Sequence, residues 1–124
     1  MSIDVKVRAL RGAITCDDDT KVEIDEKTQR LVRELLERNA VDHDDLVSII
    51  FTATADLTAE FPATAARALG LGDVPLLCAR ELEIGHGMPR VVRVLVHCYT
   101  DRDRGDLHHV YLEGARALRD DLPE

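Results

Sequence analysis

The run Val91 to Tyr99, VVRVLVHCY, constrains the chain most. Its β-branched and aliphatic content suits a pleated, packed strand. Alternate side chains of a strand share a face, so Val91, Arg93, Leu95 and His97 lie together, and the two polar interruptions fall on one side. An isolated strand arginine ordinarily marks the exposed face of a half-buried sheet. Whatever Arg93 does therefore depends on what else shares that face.

The rest of the chain supplies the other elements. Val5 to Ile14 sets Val, Leu and Ile against Lys6, Arg8 and Arg11, which predicts a strand, and Gly12 interrupts it as a bulge or bend would. After the acidic run Asp17 to Asp19, Thr20 and Glu23 stand at capping-box spacing, so a helix is predicted from about Lys21. Ile24, Thr28, Leu31, Val32 and Leu35 carry its 3.6-residue period toward Asn39. Leu46 to Phe51 predicts a buried strand, Phe61 to Leu69 a short helical piece ended by Gly70, and Val74 to Leu82 another strand. His109 to Leu112 makes a last short strand, and Ala115 to Leu118 trails toward an acidic end. The order β, α, β, short helix, β, β, β lacks the strict alternation of a doubly wound sheet. The expected fold is one α/β domain of α+β character over residues 1–124, a mixed five-stranded sheet packed with one long helix and a short helical segment.

Composition narrows the function. A length of 124 residues with 45% hydrophobic content suits one domain with a real core. Aromatic content is only 3%, with no Trp, so Phe61, Tyr99 and Tyr111 each merit inspection. The net charge of -8 argues against a nucleic-acid partner, which needs a basic face, and disfavours a membrane surface likewise. Cys16, Cys78 and Cys98 are odd in number and form no C-x-x-C pair, which fits a reducing, cytoplasmic compartment. The opening MSIDVKVRAL has neither the charged nor the apolar region of a secretory signal. His108 and His109 have no spaced acidic or cysteine partners and read as a turn-side pair, so no metal is expected.

Five strings stand in order along the chain: RGA at Arg11 to Ala13, ATADL followed by FPA at Phe61 to Ala63, VP followed by C-x-x-E at Cys78 to Glu81, the strand Arg93, and HVYL at His109 to Leu112. Each is short and common by itself. The ordered set, with its gaps, resembles the AroH class of chorismate mutases over nearly the whole chain. That resemblance implies rearrangement of chorismate to prephenate in aromatic amino acid biosynthesis, with no cofactor and no metal. It also implies a homotrimer whose sheets pack as a pseudo-α/β barrel with active sites at subunit interfaces.

Residue by residue, the resemblance implies that Arg93, Arg11 and Glu81 are catalytic. Glu81 and Cys78 would lie near the ring hydroxyl of the substrate, with Tyr111 as a further polar contact. Leu76, Leu77 and Thr64 would line the pocket, and Phe61, Ala63 and Arg67 would come from a neighbouring subunit. Leu118 and Arg119 match tail positions that close over it. The chain departs from the family at Thr64, where a Lys is often seen, and at Arg80 beside Glu81.

These residue types suit that reaction. A dianion rearranging by a concerted electron shift places negative charge on its breaking ether oxygen, and no proton need move. The catalyst needs aimed positive donors and a pocket that holds the folded conformer. Arg provides two donors on a fork that stays charged. Taken singly, Cys78 is a small buried hydrophobe, Glu81 a solvated strand end and Tyr111 an edge-strand aromatic. The alternative to an enzyme is a non-catalytic trimeric module that binds a small carboxylate and regulates a pathway.

Overall fold

The computed structural model describes residues 5–119. Its spine is the apolar run: β4 (Val91–Thr100) lies between β1 (Lys6–Thr15) and β2 (Leu46–Ala53), antiparallel to both. Beyond β2 comes β3 (Leu76–Arg80), and beyond β1 comes β5 (Val110–Leu112), each parallel to its neighbour. The order β3-β2-β4-β1-β5 makes the sheet mixed and five-stranded, as expected.

One helix, α1 (Lys21–Arg38), covers one face of this sheet. Its buried residues are Ile24, Thr28, Leu31, Val32 and Leu35, the five that the 3.6-residue period picks out. They meet Leu10, Ile14, Ile49, Phe51, Val92, Val94 and Val96 in a single apolar core. Thr20 caps the helix by accepting from the Glu23 amide, but the capping box is only half made. The Glu23 carboxylate accepts from the Asp17 amide instead and ties the preceding acidic turn to the helix. At the other end buried Asn39 is the cap, and its side chain bonds the backbone of His108 in both directions. The short helix α2 (Ala63–Ala68) packs beside α1 and leads into β3.

Three expectations are corrected. Gly12 makes no bulge, because β1 pairs with β4 without a break from Lys6 to Thr15. The one shift of register between β2 and β4 falls at Leu46 to Ser48. Gly12 instead lets the helix approach the sheet: a Cβ there would stand 3.0 Å from Leu31 Cδ1, 3.0 Å from the Val110 carbonyl oxygen and 3.2 Å from Val94 Cγ1. The strand expected over Val74 to Leu82 is shorter at both ends, since Val74 closes a turn onto Leu71 and Leu82 is exposed. His109 precedes the last strand, and residues Glu113–Arg119 form a 3-10 segment.

Among the described residues the sheet's other face carries no α-helix. Val7, Leu77 and Tyr99 are about half exposed there, while Ala13 is covered locally by Tyr111 and Ala115.

Close approach at Gly12 gives a stability prediction. Gly12→Ala overpacks the helix-sheet seam against a backbone oxygen that cannot rotate away, and destabilises the fold by about 1–3 kcal/mol. The midpoint of urea unfolding checks it; an unchanged midpoint would contradict the packing described.

Candidate active site

Register collects the charged residues on the bare face. Arg93 stands in the middle of the sheet, opposite Ala13 of β1 and opposite Thr52 of β2. Arg11 lies one pair further along, opposite Leu95, and Tyr111 of β5 pairs with Ala13. Glu81 follows the end of β3, where its amide donates to the Ala53 carbonyl at 2.9 Å. These strands thus deliver Arg11, Ile50, Thr52, Glu81, Arg93 and Tyr111 to the wall of one cavity of about 280 Å³.

Glu81 is held before any ligand arrives. The Thr52 hydroxyl donates to its Oε2 at 2.5 Å, and Arg93 Nε lies 3.3 Å from the same oxygen. That second contact is within ion-pair distance, yet Arg93 Nε is buried and makes no aligned hydrogen bond. The pair is therefore held by charge, not by directed donation, and the guanidinium keeps donor capacity for something in the cavity. A buried donor left unsatisfied costs free energy, which an acceptor in the cavity would relieve.

The other expected residues divide into groups. Phe61 is exposed and lines a second cavity of about 240 Å³ together with Cys78 and Arg80. The two cavities share no lining residue. Cys78 pairs with Phe51 and packs against the helix-side core. Three residues along an extended chain reverse the face, so Cys78 and Glu81 point to opposite sides. Leu76 also packs against the helix-side core, while Leu77 is exposed on the bare face. On α2, Ala63 is buried, Thr64 half-buried and Arg67 exposed. Leu118 packs against the cluster of Ala13, Val91, Tyr111 and Ala115 beside the first cavity. The Arg119 side chain lies outside the described residues.

Neither fully buried thiol is a nucleophile. Burial pushes Cys16 up to about 12, with Glu23 adding to the effect, and burial raises Cys98 too. Among the described residues no three His, Cys, Asp or Glu side chains are placed to hold a metal ion, and no helix is long and apolar enough to cross a membrane.

Two contributors escape a linear reading. Thr52 looks like an ordinary strand residue until the ladder sets it against Arg93. His109, seen as half of a turn-side pair, accepts from the Arg11 backbone amide through Nδ1 at 2.9 Å. Both relations join residues far apart in the chain, so only the sheet order reveals them.

Comparison with known proteins places the chain in a family. The family model described as chorismate mutase type I matches residues 7–122. The chain is 46% identical to the chorismate mutase AroH of Thermus thermophilus over 94% of its own length and 96% of that protein's. It is 39% identical to the chorismate mutase AroH of Bacillus subtilis over 94% and 92% of the two chains. Among solved structures, a chorismate mutase from Clostridium thermocellum superposes with a TM-score of 0.87 at 44% identity, covering 89% of this chain and 98% of that one. Sequence match, shared fold and the residues gathered on the bare face converge, and the chain belongs to the type I chorismate mutases.

Proposed function

We propose that the chain rearranges chorismate to prephenate by electrostatic and conformational stabilisation alone, as a step of aromatic amino acid biosynthesis. The observation that carries this reading is the single cavity in which Arg93, Arg11, Glu81 and Tyr111 converge on a bare sheet face. In the step itself the ether C–O bond breaks as a new C–C bond forms within the same molecule. Electron density rises on the ether oxygen, and no proton is transferred.

Each group then has a role set by its chemistry. Arg93 donates to the ether oxygen, where an aimed guanidinium stabilises the charge that develops only in the transition state. Arg11 holds a carboxylate of the substrate and fixes the folded conformer. Glu81, pinned by Thr52, accepts the substrate hydroxyl and orients the ring. Tyr111 adds a polar contact at the cavity wall. The net charge of -8 repels a dianion at long range, but screening over about 8 Å at physiological salt leaves the local Arg pair dominant.

The active unit in this reading is a homotrimer in which the bare sheet faces meet as a pseudo-α/β barrel. Half-exposed Val7, Leu77 and Tyr99 on that face support it, being apolar surface that a lone chain would leave in water. So does the division of the expected residues between two cavities with no common wall. Phe61, Ala63, Thr64 and Arg67 of one copy, with Cys78 nearby, would then complete the cavity that holds Arg93 of the next. Leu118 and Arg119 would close the opening. Three unpaired cysteines suit the reducing cytoplasm.

The first test follows loss of chorismate ultraviolet absorbance on adding pure protein, with prephenate confirmed by its acid conversion to phenylpyruvate. Saturable turnover supports the enzyme; a well-folded protein without turnover favours the carboxylate-binding module. Arg93→Lys keeps the charge but loses the planar fork, and should lower kcat by about 10²- to 10³-fold with the fold intact. Parent-like turnover in that variant would remove Arg93 from the role assigned. With no acid or base in the chemical step, kcat should stay nearly flat across neutral pH. A bell centred in the histidine range would contradict the mechanism.

A further inference from the structure

Arg11 must present its guanidinium to the cavity, and its backbone is held from an unexpected side. Strand β5 begins to pair with β1 only at Val110, opposite Gly12. One step earlier the β1 ladder is continued by a side chain: the Arg11 N–H donates to His109 Nδ1 at 2.9 Å. A backbone amide can only donate, so Nδ1 must be unprotonated in this contact. His109 itself follows a fixed point. The buried Asn39 side chain accepts from the His108 amide at 2.7 Å and donates to the His108 and Leu35 carbonyls, each at 2.8 Å. A chain of contacts therefore runs from the end of α1 through the His108 backbone and the His109 ring to Arg11.

Resting on the reaction proposed above, we propose that His109 is a positioning residue: its imidazole sets the backbone of Arg11 and thereby the reach of the guanidinium that binds the substrate carboxylate. The ring touches no reacting atom. It serves as the ladder acceptor that β5, three residues long, is too short to provide. Arg8, His97 and Arg104 line a cavity of about 270 Å³ together with His109.

The test compares two substitutions with the intact protein. Asparagine places its Oδ1 as far from Cβ as the imidazole places Nδ1, so His109→Asn restores the acceptor, whereas His109→Leu removes it at similar bulk. The leucine variant should raise KM for chorismate about 3- to 12-fold, the scale of one net hydrogen bond, with kcat changed much less. His109→Asn should bring KM back to within a factor of about two of the parent. In an Arg11→Ala background His109→Leu should add nothing further, because the group it positions is gone. Parent-like KM in His109→Leu, or an undiminished penalty on top of Arg11→Ala, overturns the inference. Exchange of the Arg11 amide proton decides the contact even if the leucine variant does not fold: protection in the parent and in His109→Asn supports it, and rapid exchange in the parent overturns it. A parent with no chorismate turnover fails the proposed reaction, and the amide measurement, which needs no turnover, still decides whether His109 holds Arg11.

Discussion

One helix covers one face of a five-stranded sheet, and among the described residues the other face is covered only locally, around Ala13. Everything distinctive about the chain follows from that imbalance. On the covered side β4 presents Val92, Val94, Val96 and Cys98, all buried, against an apolar helix stripe that approaches closely enough to exclude a Cβ at Gly12. On the open side the same strand presents Arg93, Leu95 and His97, all half-buried. The strand's period of two thus separates stability from chemistry within a single element. Buried apolar contacts stabilise one side, which frees the other to hold charge.

Holding charge there takes preparation. Arg93 sits mid-sheet, where its Nε is buried, and Glu81 meets it from the far side of β2. Thr52 lies between them in the register and commits one carboxylate oxygen, so Glu81 is fixed before a substrate enters. Such fixed groups stabilise developing charge without reorganising at the moment of reaction. In the proposed mechanism this is also how an acidic chain binds an anion. The relevant field is that of a few aimed donors a few ångströms away, and the remote carboxylates are screened.

The fold was largely legible because its elements announce themselves by period. The α1 stripe and the alternation of β4 need only local spacing, and both agree with the structure residue for residue. Gly12 was not legible: a glycine within a strand signals either a bulge or a close neighbour, and the neighbour here, Leu31, comes from another element. Among the residues singled out by the sequence, Arg11, Glu81, Arg93 and Tyr111 line one cavity. The three-residue offset from Glu81 sets Cys78 on the other face, toward the helix-side core. Thr52 and His109 acquire meaning only from the order β3-β2-β4-β1-β5, which no local pattern encodes.

In the proposed assembly the bare face holds half of a site and a second copy supplies the rest. Subunit complementation tests it most directly. Arg93→Ala removes a donor from the first half, Arg67→Ala removes one from the second, and each homogeneous protein should turn chorismate over poorly. Unfolded together in equal amounts and refolded, the pair should recover about a quarter of parental turnover, the chance that an intact first half meets an intact second half. Recovery at that level is the expected result. Activity no higher than that of the separate variants would mean that Arg93 and Arg67 serve a site within one chain, and the shared-site reading would be wrong.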